Sequence, residues 1–89
     1  MTIDTALGRW RSLRGSDSVE LPDGIAIRFI NRLNRANHVH VRTLDSGDVC
    51  VAFWRVTKSG KNIRYLGTRT TSLDRLRSTV EDETGVSLS

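Results

Sequence analysis

Cysteine is nearly absent: Cys50 is alone in a chain of 89 residues. One thiol cannot close a disulfide within its own chain, so packing must supply the stability, and a reducing cytoplasm is the expected location. Long apolar runs are missing as well. No stretch approaches the roughly 20 residues that a membrane-crossing helix needs, and the opening MTIDTALGRW carries an acid where a signal peptide has its greasy core. Phosphate-binding glycine loops, zinc-ligand spacings and nucleophile elbows do not occur, so neither a cofactor nor an enzyme activity is expected. His38 and His40 place two imidazoles on one strand face, but no third ligand is near them in sequence, which argues against a metal site.

What is present fits one small globular domain over residues 1–89, with 37% hydrophobic and 27% charged side chains. Fourteen basic residues against ten acids give a net charge of +4, unevenly spread. Residues 1–71 hold twelve basic and six acidic side chains, whereas Asp74, Glu81, Asp82 and Glu83 outnumber Arg75 and Arg77 in the tail. A basic body with an acidic end implies an anionic partner for the body. Most of the cations are arginines, whose planar guanidinium suits phosphate contacts.

Periodicity orders the elements. Ile3, Ala6, Leu7, Trp10 and Leu13 recur at helical spacing, which predicts a helix over about residues 3–14, closed by Gly15. GSDSVELPDG then reads as a loop, with turn chemistry at Pro22-Asp23-Gly24. In IAIRFINRLNRAN, Ile25, Ile27 and Phe29 alternate as in a strand, but a helical wheel gathers Ile25, Ala26, Phe29, Ile30, Leu33 and Ala36 on one arc and leaves only Ile27 out of place. A helix over about 24–36, capped by Asp23, is the reading chosen. The period then changes to two: HVHVRTL, VCVAFWRV and NIRYLGT read as strands joined by turns at Ser46-Gly47 and Ser59-Gly60. Leu73, Leu76 and Val80 make the stripe of a last helix, capped by Thr71 or Ser72 and stopped by Gly85. The expected fold is α+β: a three-stranded antiparallel β-meander (residues 38–67) with a C-terminal helix (72–84) on one face, preceded by two short helices within residues 1–36.

Counting outward from two-residue turns pairs Arg42 with Val51, His40 with Phe53, Arg55 with Arg64, Trp54 with Tyr65 and Phe53 with Leu66. One face then holds Val39, Val41, Cys50, Ala52, Trp54, Val56, Ile63 and Tyr65 as core. The other holds His38, His40, Arg42, Val51, Phe53, Arg55, Asn62, Arg64 and Leu66. Opposed arginines in that second face call for an anion between them.

The stretch FWRVTKSGKNIRYLGTRTTSLDRL resembles the arm-type DNA-binding domain of phage and transposon tyrosine recombinases and the related plant Apetala/ethylene-response domain. Trp54-Arg55, Gly60-Lys61, Leu66-Gly67-Thr68 and Leu73 with Leu76 occupy comparable places, over about residues 38–84. In those families the three-stranded sheet enters the major groove, which implies that Arg42, Arg55, Arg64 and Arg69 touch bases or phosphates. The two N-terminal helices lie outside that family's minimal unit.

The function expected first is therefore nucleic-acid binding, as a DNA-binding accessory or regulatory factor of a phage, plasmid or other mobile element, with RNA as the alternative ligand. Arg42, Arg55 and Arg64 form the expected centre of contact, with His38, His40, Lys58, Lys61, Asn62 and Arg69 at its margins. Two other readings compete. A phage-type inhibitor or adaptor (an anti-defence protein) would dock a protein partner on an apolar patch of Val51, Phe53 and Leu66. A small ribonuclease would use His40 for acid–base chemistry beside Arg42 or Arg64. No membrane partner is expected, and an unpaired sheet edge admits a homodimer.

Overall fold

The computed structural model describes Ile3, Leu7 and residues 17–30, 36–56 and 63–88. Among the described residues five strands, β1 (Asp17–Leu21), β2 (Gly24–Ile30), β3 (Ala36–Thr43), β4 (Val49–Val56) and β5 (Ile63–Thr71), precede a C-terminal helix, α1 (Leu73–Thr84). The strands form a single antiparallel sheet in the order β1-β2-β3-β4-β5, every strand beside its neighbour in sequence.

This corrects the expected architecture of a three-stranded meander preceded by two helices. Asp17–Leu21, expected as loop, is a strand, and Gly24–Ile30, expected as helix, is its partner. Ile27 shows why the strand wins. A helix strands it on the polar side, whereas in the sheet it is fully buried beside Ile25, so both side chains leave water. Leu21 pairs with Gly24, so Pro22 and Asp23 form the two-residue turn. Gly24 is required there, because a Cβ would stand 1.8 Å from the Val41 carbonyl oxygen. Asp23 caps no helix; its carbonyl accepts from the Thr43 amide at 2.9 Å and extends the pairing of β2 with β3. Of the helix expected over 3–14, Ile3 and Leu7 have helical backbone, and the rest lies outside the described residues.

The β3–β4 connection sets the next register. The Leu44 amide donates to the Asp48 carbonyl (2.8 Å), and the Gly47 amide donates to the Leu44 carbonyl (3.0 Å). The loop is therefore Asp45-Ser46-Gly47, three residues rather than two, with Gly47 at φ 91° where a β-carbon would be strained. Pairing shifts by one residue from the expected count: Thr43 faces Val49, Val41 faces Val51 and Val39 faces Phe53.

The core follows from that register. Ile25, Ile27, Val39, Val41, Val49, Val51 and Phe53 bury one face of the sheet against Leu76 and Val80 of α1, with Leu7 and Leu88 completing the cluster. Ser72 occupies the N-cap position of α1, but its hydroxyl makes no capping bond. Gly85, at φ 72°, ends the helix and donates to the Glu81 carbonyl at 2.8 Å. The Glu81 carboxylate then accepts from the Leu88 amide at 2.9 Å, which turns the last residues back onto the core.

Ile27→Ala is expected to cost about 2–5 kcal/mol, the range for deleting a fully buried branched side chain. Its exposed neighbour Arg28→Ala should stay within about 0.5 kcal/mol. Urea denaturation of the two variants checks the pair; equal costs would contradict the strand assignment.

Candidate nucleic-acid interface

Alternation along five strands gives the sheet a second face, and nothing among the described residues packs over it. Four transverse rows cross it. The first runs from Arg28 through His38 and Trp54 to Tyr65, the second from Val19 through Ala26, His40 and Ala52 to Thr68, the third from Leu21 through Gly24, Arg42 and Cys50 to Thr70, and the fourth from Ile30 through Ala36 and Val56 to Ile63. Arg28, Arg42, Tyr65, Thr68 and Thr70 are exposed, and His38, His40, Cys50, Ala52 and Trp54 are half-buried. No described side chain on this face is a carboxylate; Asp17 stands in register with Arg28 at the corner.

The first row is an aromatic ladder. His38 meets Trp54 edge to face, with ring centroids 5.6 Å apart and planes at 75°. Trp54 meets Tyr65 at 5.5 Å and 51°. Such pairs add to the stabilisation from burial alone. Tyr65 stands beside Trp54 in the register of Arg55–Arg64 and Val56–Ile63, and a bulge follows: Phe53 pairs with Gly67, which leaves Leu66 as the extra residue. Gly67, at φ 128°, takes the conformation the bulge requires. A hydrogen bond between the Tyr65 and Thr68 hydroxyls steadies the phenol ring.

Electrostatics are one-signed here. Burial, then the charges of Arg28 and His40, hold the His38 imidazole below its ordinary value of 6.5. Its neutral form is therefore favoured at neutral pH, as a ring packed against Trp54 requires. His40 Nε2 is buried and has no hydrogen-bond partner among the described residues.

The expected site residues do not stay together. His38, His40 and Arg42 share the open face with Trp54 and Cys50, both expected in the core. Arg55 and Arg64 do oppose each other, but on the helix side, where Arg55 also pairs with the buried Asn37. The Arg55 Nε is buried without a partner among the described residues. Arg69 also faces α1, ion-paired with Glu83. Lys58, Lys61 and Asn62 lie outside the described residues. The patch of Val51, Phe53 and Leu66 does not form, since Val51 and Phe53 are core. Of the two clamps expected for a ribonuclease, His40 with Arg42 shares the open face, whereas Arg64 lies on the other side.

Sequence reasoning put Arg28 on the polar face of a helix, outside the central contact set, and put Tyr65, the exposed half of the aromatic ladder, in the core. The signal was in the Ile25-Ile27-Phe29 alternation, which sets Arg28 opposite the core. The wrong period hid it.

No family model, curated protein or solved structure matches the chain. Among the described residues no helix is long and apolar enough to cross a membrane, and no cluster of three or more metal-ligating side chains occurs.

Because folding lowers the affinity of His38 for its proton, stability is full above the unfolded value and is lost as pH falls through 6.5 toward the lowered folded value. The urea midpoint should drop between about pH 7.5 and about pH 5.5, and His38→Gln should lessen that drop. An unchanged pH dependence in the variant would contradict the assignment.

Proposed function

We propose that this chain is a small nucleic-acid-binding protein, a DNA-binding accessory or regulatory factor of a mobile element, and that it binds through the open face of its sheet. The observation that carries this reading is the collection of Arg28, His38, His40 and Arg42 on one exposed surface with no described carboxylate side chain among them. The described acids lie elsewhere: Glu83 meets Arg69, Asp23, Asp45 and Asp48 lie in the connections, Glu20 lies on the other side of β1, and Asp74, Glu81 and Asp82 belong to α1. Two exposed arginines with no described carboxylate between them gain most from a polyanion, whose binding releases condensed counterions.

The contact centre moves accordingly. Arg42 keeps its place and is joined by Arg28, while Arg55 and Arg64 fall on the opposite side. The protein-docking alternative has lost the apolar patch that motivated it; the exposed apolar residues of the open face, Val19, Leu21 and Ile63, stand at its edge strands.

Fluorescence anisotropy against labelled DNA over a salt series tests the proposal. Arg28→Gln with Arg42→Gln should weaken binding and reduce the slope of log K against log salt by about 0.7–0.9 for each phosphate contact removed. Arg55→Gln with Arg64→Gln should change the slope less. Undiminished affinity and slope in the Arg28/Arg42 double variant would overturn the reading.

A further inference from the structure

The open face is too broad to enter a duplex. Five strands about 4.8 Å apart make a surface about 19 Å across, whereas the major groove is about 12 Å wide and admits a helix or a two-stranded ribbon. The two strands β1 and β2, which widen the expected three-stranded sheet, remove the docking geometry that the recombinase-like pattern implies. A ligand of this face must lie on it and not around it.

The chemistry along the first row says which ligand. Tyr65 is 56% exposed although it packs against Trp54, so one surface of the pair is open to solvent. An exposed aromatic on an open antiparallel sheet, edged by arginines, offers what an unpaired base and its phosphates need: a flat apolar surface and cations within reach of the backbone. A paired base has its faces covered by its neighbours and cannot use the ring. Arg28 stands in the same row three strands from Tyr65, about 14 Å away by strand spacing, with Asp17 beyond it on β1, and Arg42 lies two residues along β3 from His40. The cations thus flank the aromatic ladder without blocking it.

We infer that the open face binds an unpaired nucleic-acid strand, with a base stacked on Tyr65 and Trp54 and the phosphate backbone held by Arg28 and Arg42. This rests on the nucleic-acid reading above and narrows it. The strand lies across the sheet, and the neutral His38 ring extends the surface. Specificity is low, because every base has a face to stack and the guanidinium groups contact phosphates common to all sequences.

Anisotropy with three labelled probes of equal length tests it: a thymidylate DNA strand, a uridylate RNA strand and a mixed-sequence DNA duplex. Tighter binding of either single strand than of the duplex is expected, with the DNA and RNA probes reporting which sugar is preferred. Tyr65→Ala should weaken single-strand binding on the order of tenfold and leave the weaker duplex binding nearly unchanged, while Tyr65→Phe should retain most of it. Tyr65 is exposed, so circular dichroism should show both variants folded. Duplex binding as tight as single-strand binding, or single-strand binding indifferent to Tyr65→Ala, would overturn the inference and leave the broader reading standing. No binding of any probe at low salt would overturn both.

Discussion

The amide of Leu44 bonded to the carbonyl of Asp48 decides which side of this molecule is dry. Side chains alternate along a strand, so shifting one strand by one residue against its neighbour exchanges every side chain between faces. With the three-residue loop, Val49, Val51 and Phe53 join Val39 and Val41 on one surface. A two-residue loop would send them to the other. Each such side chain is worth about 1.5–3 kcal/mol when buried, so the register is held by the core far more strongly than by any preference of the turn itself. Gly47 supplies the backbone conformation that lets the loop comply.

From that choice the division of labour follows. The apolar face needs a cover, and α1 supplies Leu76 and Val80, with Leu7 and Leu88 arriving from the two ends of the chain. The acids of α1 then have a cation to meet, and Glu83 finds Arg69 on the helix side of β5. The residues left over, the even-numbered positions of β2, β3 and β4, are cationic, aromatic or small, apart from Ile30 and Val56 at one end. They are not needed for the core, and they are the ones with chemistry to offer a ligand. Stability and the proposed binding therefore draw on alternate residues of the same strands, and the price of exposing Tyr65 and its neighbours is met on the opposite surface.

Some of this was legible in the chain. HVHV in β3 and the β-branched run of β4 announce their period, and Leu73, Leu76 and Val80 announce the helix. The opposition of Trp54 to Tyr65 follows from counting through the second turn. Two things were hidden, each for a physical reason. Ile25, Ile27 and Phe29 alternate, yet Ile30 and Leu33 continue the apolar pattern at helical spacing, so local periodicity cannot choose; the choice is made by a core that β3 helps to build. The loop length at Asp45-Ser46-Gly47 is likewise undetermined by its residue types, because Ser-Gly suits a two-residue turn as well as the end of a longer one. That single ambiguity moved Trp54 and Cys50 to the wrong face and separated Arg42 from Arg55 and Arg64, the residues first grouped as one site.

The bulge in β5 makes Leu66 a residue that the pairing with β4 does not count. Deleting one residue from a strand ordinarily inverts everything beyond it. Here removal of Leu66 would bring Tyr65 next to Gly67 with its ring still beside Trp54, since the neighbours on β4 are already consecutive. Chain length at this point is thus free to vary while the surface chemistry stays constant. In an evolving lineage, a gap at Leu66 would be a silent change in a place where gaps are usually ruinous.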